Sequence, residues 1–470
     1  MSDRSATPSP GGEARPPASA PRRPTPNYAA RRMLFTTIGI TVVAAIGLLG
    51  WRLLRDDPTT PTATAATWNR VALIDRTTGA VVAVDVAGAA TAEIPGTGRV
   101  TAVHAHQGHL ALVGVGQITI IDIAAPDAPA VLVPIPPAST VTPITTPATM
   151  HLLVGSPTGG NVLIVDITDG SVLDVAALAA PSNPLMFPET VRWAADGSAF
   201  AVADAANFQT IVVRPGHPGA VFLADQPIAI ADGLVATSQT VGLEADVALV
   251  DLERRRLASV PSPIPAGGAI LDGRLVYVST DGAVLELGPD DETADELGRI
   301  PLPPDGRVRW VRPALDRFVV AGDNFVAVIG QAGGTLFDAT VEAPIEIPLP
   351  GPDWTCLTFG GAGRSEALIS LTSGERLADL TGLVVTGTSA DGCTVIGTRA
   401  GVTEIVSATG TVSLGRVRTA TLSPDGRSVV TTSSDGRTEL RTLTDGFALS
   451  QPVDLTAAAG SSPAIAFLGN

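Results

Sequence analysis

The sequence predicts an all-β fold, a β-propeller of about eight four-stranded blades within a range of seven to ten, placed after one N-terminal transmembrane helix. Three observations predict it: short apolar runs that recur at a nearly constant interval, an Asp-Gly turn repeated ahead of strands, and one long uncharged segment near the N-terminus.

The first repeated element reads apolar-x-apolar-apolar-Asp. It occurs as Val71-Ala-Leu-Ile-Asp75, Ile118-Thr-Ile-Ile-Asp122, Val162-Leu-Ile-Val-Asp166 and Val247-Ala-Leu-Val-Asp251. The aspartates are 47, 44 and 85 residues apart, the last interval being close to two periods. The missing copy is expected near Thr210-Ile-Val-Val-Arg214, a strand without its Asp. The second element occurs as Ala195-Asp-Gly-Ser-Ala-Phe-Ala-Val202, Ala390-Asp-Gly-Cys-Thr-Val-Ile396 and Pro424-Asp-Gly-Arg-Ser-Val-Val430. Asp-Gly suits a tight hairpin, because Gly accepts positive φ and Asp bonds its own turn. The residues after it alternate or run apolar, as in a half-buried strand. A period of roughly 40–45 residues with about four strands per unit is that of a propeller blade, which buries its faces only by stacking on its neighbours. The final apolar run, Ala464-Ile-Ala-Phe-Leu468, is expected to pair with the strands near Val71 and close the ring. The stretch 343–381 is too irregular to divide into units.

Residues 33–54 predict the membrane helix. From Met33 to Trp51 there is no charge, and at about 1.5 Å per residue this length approaches the ~30 Å of a bilayer core. Arg31 and Arg32 precede it, and Trp51 stands where an interfacial aromatic belongs. Six Arg lie before the segment, whereas Arg52 and Arg55 after it are offset by Asp56 and Asp57, so the positive-inside rule puts the N-terminus in the cytoplasm. Arg31-Arg32-Met33-Leu34-Phe35 also loosely fits a twin-arginine export signal with a cleavage site at Ala63-Thr64-Ala65, but the apolar run is long for one. Either way, residues 68–470 are expected outside the membrane. Residues 1–30 hold seven Pro and no hydrophobic period, the pattern of a disordered cytoplasmic tail, and 55–67 read as a Thr/Pro/Ala linker.

Charge is divided along the chain. The tail carries +4, and from Trp68 onward 22 Arg face 42 acids. So acidic a domain, with 4% aromatic residues, is a poor partner for nucleic acid. Every basic residue is Arg, which with the Ala, Gly and Pro excess points to a GC-rich, actinobacterial type of genome. Cys356 and Cys393 are the only cysteines and are expected to form a disulfide outside the membrane, the alternative being two buried thiols.

Leu422-Ser-Pro-Asp-Gly-Arg-Ser-Val-Val430 resembles the repeat of WD40-like and TolB-type propellers. Arg70-Val-Ala-Leu-Ile-Asp-Arg-Thr-Thr-Gly-Ala-Val-Val82 is similar to that of YncE-type and quinoprotein-like propellers. The resemblance covers most of residues 69–468 and implies a scaffold or binding platform, since these families host many unrelated functions.

Candidate chemistry is sparse. His104, His106 and His109 hold three of the five histidines on a strand and across a Gln107-Gly108 hairpin, an arrangement that suits zinc or copper; the alternative is a polar strand end near a blade rim. The acidic run 290–296 lacks the spacing of a calcium loop and reads as a solvated turn. Arg254-Arg255-Arg256 is either a solvated turn or a contact for an anionic partner. The recurring Asp75, Asp122, Asp166 and Asp251 are expected to bind turn amides rather than to ring a channel. No Gly-x-Ser-x-Gly elbow, phosphate-binding glycine loop, His-Glu-x-x-His or Cys-x-x-Cys occurs; the Ser of Gly155-Ser156-Pro157-Thr158-Gly159 is misplaced for an elbow. These absences point away from an enzyme, though a site assembled from blade loops would leave no local motif. The function expected is a membrane-tethered, extracytoplasmic scaffold in the cell envelope that binds a protein partner and requires no cofactor. Two alternatives remain: a metal-dependent enzyme or small-ligand sensor with its site in the propeller channel, and a structural subunit of a secretion or cell-wall assembly.

Overall fold

The computed structural model describes residues 68–469, except 146–148, 156–159, 179–190, 195–196, 205–208, 216, 218–219, 232, 243, 254, 315, 342–344, 347–353, 362–363, 445–446 and 457–462. The tail, the apolar segment 33–54 and the linker therefore lie outside the described residues. Among the described residues no helix is long and apolar enough to cross a membrane.

The described chain is antiparallel β-sheet throughout: eight four-stranded sheets and one of seven strands. The seven-stranded sheet resolves into two units that share the long strand Arg376–Thr388. Its first part, to Leu383, pairs with Arg364–Ser370 as the fourth strand of one unit. From Val384 it pairs with Thr394–Arg399 as the first strand of the next. Gly382, at φ +79° with open space around its α-carbon, stands at the change of direction. With this division the strands form ten units, the upper end of the expected range. The shared strand lies in the part of the chain that looked irregular.

Within each unit the strands follow one another as a meander. The second unit is typical, with Val100–His106, His109–Gly114, Gln117–Asp122 and Val131–Pro134 side by side. The first unit is completed from the far end of the chain. Pro463–Gly469 pairs along Trp68–Asp75, with Ala466 opposite Ala72 and Ile465 opposite Leu73. This is the expected closure. It takes the first position in its sheet, so Trp68–Asp75 is a second strand and Asp75 is not equivalent to Asp122, Asp166 and Asp251. The equivalent residue is Asp85, at the end of Val81–Asp85. The strand expected at 210–214 is Gln209–Val213, the third strand of its sheet.

Strand periodicity explains how the units stack. Along His109–Gly114, Leu110 and Leu112 pack toward the first unit, whereas Ala111 and Val113 pack toward the third. Middle strands bury both faces and so read as continuous apolar runs. Ten clusters of buried side chains, each bridging two consecutive units, pass round the described residues. The tenth returns to the start, with Val430 and Leu440 against Val71, Leu73 and Val84. Fourth strands such as Thr335–Thr340 are largely exposed.

Two turn devices lock neighbours together. At the end of third strands, an Asp carboxylate accepts backbone N–H groups of its own turn: Asp85 from Ala87 and Ala89, Asp122 from Ala124, Asp166 from Thr168 and Asp251 from Arg255, at 2.7–2.9 Å. A glycine at positive φ then brings the turn onto the outer strand of the preceding unit. A Cβ on Gly374 would lie 2.2 Å from the Leu336 carbonyl oxygen, and one on Gly170 would lie 2.5 Å from the Val131 side chain. The Asp-Gly turns at Asp391 and Asp425 join first to second strands. In Ser389-Ala390-Asp391-Gly392 and Ser423-Pro424-Asp425-Gly426, the Ser hydroxyl donates to the Asp carboxylate at 2.5 Å and accepts the N–H of Thr394 or Ser428 at 2.8–2.9 Å. Ala390 N–H donates to the Pro424 carbonyl at 2.7 Å, and Thr355 N–H to that of Asp391 at 2.9 Å, linking three units in series. The disulfide Cys356–Cys393 spans the same eighth-to-ninth junction, with Cα atoms 4.9 Å apart.

Gly374→Ala should lower stability by about 2 kcal/mol or more, since it adds a backbone collision to the left-handed conformation. Gly415→Ala, at φ +72° in open space, should cost about 1 kcal/mol. Equal shifts of the denaturant midpoint would contradict the locking role. Native protein should show no reactive thiol until reduced, and the Cys356→Ala/Cys393→Ala variant should lose about 3–4 kcal/mol by release of the 37-residue separation the bridge spans.

Candidate functional site

The strand Thr438–Thr442 ends in alternating chemistry, and alternation decides where each residue points. Leu440 packs toward the first unit, so Glu439 and Arg441 face the ninth. Thr431 lies opposite Glu439 in the register and adds a hydroxyl to the same face. Together with Ser413 and Arg416 from the ninth unit's outer edge, these residues line a cleft of about 340 Å³ between the ninth and tenth units. Glu439 is buried and divides its carboxylate between two guanidinium groups. Oε1 pairs with Arg437 Nε at 2.9 Å, and Oε2 accepts from Arg441 Nε at 3.2 Å and Nη2 at 2.7 Å. The exposed Asp435 closes the Arg437 turn; the Ser433 hydroxyl that donates to it, with the Arg437 amide and charge, lowers its pKa. Sequence reading missed this cleft, because Arg416 and Arg441 are 25 residues apart and each resembles an ordinary surface charge.

The hairpin expected at Gln107-Gly108 is present, with His106 opposite His109 and His104 opposite Ala111. The three histidines are thus neighbours, yet among the described residues no group of three or more His, Cys, Asp or Glu could hold a metal ion. Burial lowers the His104 pKa below the ordinary histidine value. A fourth histidine, His151, is buried at 3% exposure in the adjacent third unit, where nothing in its Met150-His-Leu-Leu-Val-Gly155 context marks it. Its Nε2 lies 3.5 Å from Asp166 Oδ2 and its ring meets Phe200 edge-on at 5.0 Å. Burial lowers the His151 pKa; the Asp166 and Asp169 carboxylates oppose that shift and His106 adds to it.

The other candidates serve the fold. In the acidic run, Asp290, Glu292, Asp295 and Glu296 are exposed, as expected, while Asp291 fastens its turn by accepting from the Gly288 amide at 2.6 Å and from Arg274 at 2.9 Å. Arg254 and residues 156–159 lie outside the described residues. Arg255 pairs with Asp251 at 2.8 Å, and Arg256 reaches Asp225 at 3.9 Å. The recurring aspartates bind turn amides, as expected, and lie after second or third strands, away from the first strands.

His151 makes stability depend on pH. Because its folded pKa lies below the ordinary 6.5, the unfolded chain takes up the proton first; no effect arises above that value, and stability is lost as pH falls below it. The midpoint temperature of His151→Leu should therefore fall less steeply than wild type between roughly pH 7 and pH 5. Identical slopes would contradict a buried, neutral His151.

No protein-family model and no curated protein matches the chain. Solved structures do resemble it. BamB from Moraxella catarrhalis is 11% identical over 66% of this chain and 95% of its own, with a TM-score of 0.39. A eukaryotic initiation factor is 12% identical over 83% of this chain and 96% of its own, with a TM-score of 0.43. The computationally designed Ika8 protein is 14% identical over 73% of this chain and 95% of its own, with a TM-score of 0.36. At these values the likeness carries no argument about function.

Proposed function

We propose that the chain is a membrane-tethered, extracytoplasmic β-propeller that acts as a protein-binding scaffold in the cell envelope. The observation that carries the binding role is an apolar patch on the outer strands of the second and third units. Val131 is 41% exposed on Val131–Pro134, and Val172 is 43% exposed on the next unit. The Gly170 turn that leads into Val172 packs on Val131, so the exposed side chains adjoin. Clustered exposed apolar groups on a rigid sheet edge favour a protein partner over solvent. The uncharged segment 33–51 and its flanking charges support tethering with the N-terminus inside. The inter-unit disulfide supports an oxidising compartment.

Full-length protein purified in detergent should retain a partner in stoichiometric amount. Val172→Asp, at an exposed position of an outer strand, should cut that recovery by about tenfold while leaving the unfolding midpoint unchanged. Equal recovery by the variant, or no partner across growth states, would count against the reading.

A further inference from the structure

The junction between the ninth and tenth units departs from the others in chemistry. Most third strands are buried and apolar, as in Phe325–Gly330 and Gln117–Asp122, while Glu286 in Ala283–Leu287 and Glu404 in Val402–Ser407 each pair with one arginine. Here the third strand and the turn before it present Arg437, Glu439 and Arg441 to the neighbouring unit. The inner part of the junction keeps its apolar packing through Ile396, Ile405, Leu422 and Val429, so the polar part is an open cleft beside a closed core.

Three arginines and two acids line this cleft, within a domain where acids outnumber arginines by 42 to 22. Glu439 cannot be the sole reason for the arginines. It accepts two N–H groups of Arg441 and forms an ion pair with Arg437 at 2.9 Å, and a guanidinium has five N–H donors. Held by a buried carboxylate, both groups keep fixed orientations with donors to spare, which lowers the ordering cost of binding. Arg416, exposed on the opposite wall, enters no ion pair among the described residues. The Ser413 and Thr431 hydroxyls add to the lining, whereas that of Ser433 is engaged by Asp435. A volume of about 340 Å³ lies at the small end for ligand pockets.

We infer that this cleft is a binding site for a small ligand carrying a phosphate or carboxylate group, clamped between Arg416 and the Glu439-braced pair Arg437 and Arg441. The site is separate from the apolar patch on the second and third units, so either assignment stands or falls without the other.

Calorimetric titration of full-length protein in detergent with inorganic phosphate, and separately with citrate, tests it. Saturable one-to-one binding of either probe is expected, and which one binds tells a phosphate ligand from a carboxylate one. Arg416→Ala should weaken that binding by about tenfold, because one charge-assisted contact is lost. It breaks no ion pair of the fold, so its failure to bind would not be a failure to fold; the unfolding midpoint checks this. Arg309→Ala, which removes an exposed arginine on the seventh unit, should bind as wild type does. Absence of saturable binding by both probes would overturn the assignment, as would Arg416→Ala binding unchanged or equal weakening by Arg309→Ala.

Discussion

A four-stranded sheet with two apolar faces cannot stand in water, and the rest of this structure follows from that constraint. Leu110 and Leu112 need a neighbour on one side, and Ala111 and Val113 need one on the other. A linear stack would leave two sheets with an uncovered face. A ring leaves none, and the last cluster, between Val430 and Val71, is where the stack meets its own beginning.

Closure by Pro463–Gly469 makes the first unit depend on both ends of the described chain. The turns then fix the spacing. The Asp carboxylates satisfy turn amides, and glycines at positive φ let those turns touch the preceding unit's outer strand. At the eighth and ninth units the same job falls to an Asp-Gly turn and a disulfide. The ninth-to-tenth junction gives up part of its apolar contact for a braced set of arginines. Exposed edges elsewhere, such as Val131 and Leu132, keep apolar groups that the ring does not need.

Much of the architecture was legible because each unit repeats the same local solution. The Asp-ended strands, the Asp-Gly turns, the closing run at 464–468 and the Cys356–Cys393 bridge all leave contiguous or countable marks. The blade count was less legible, because Arg376–Thr388 serves two units in one strand and hides the boundary between them. Asp75 was assigned to the wrong strand because closure from the C-terminus is non-local and shifts the count by one. The cleft was illegible for a related reason: alternation sets the direction of Glu439 and Arg441, but only the stacking of units brings Arg416 opposite them. His151 was overlooked because burial, which sets its chemistry, is a property of the third and fourth units packed together.

Closure of the ring is the claim on which the other assignments rest, and hydrogen exchange of the peptide 463–469 in the full-length protein tests it most directly. Those of its amides that bond to Trp68–Asp75 should exchange only with global unfolding, at the rate of core strands such as Phe325–Gly330. Exchange as fast as that of an unpaired terminus would mean that the ring is open.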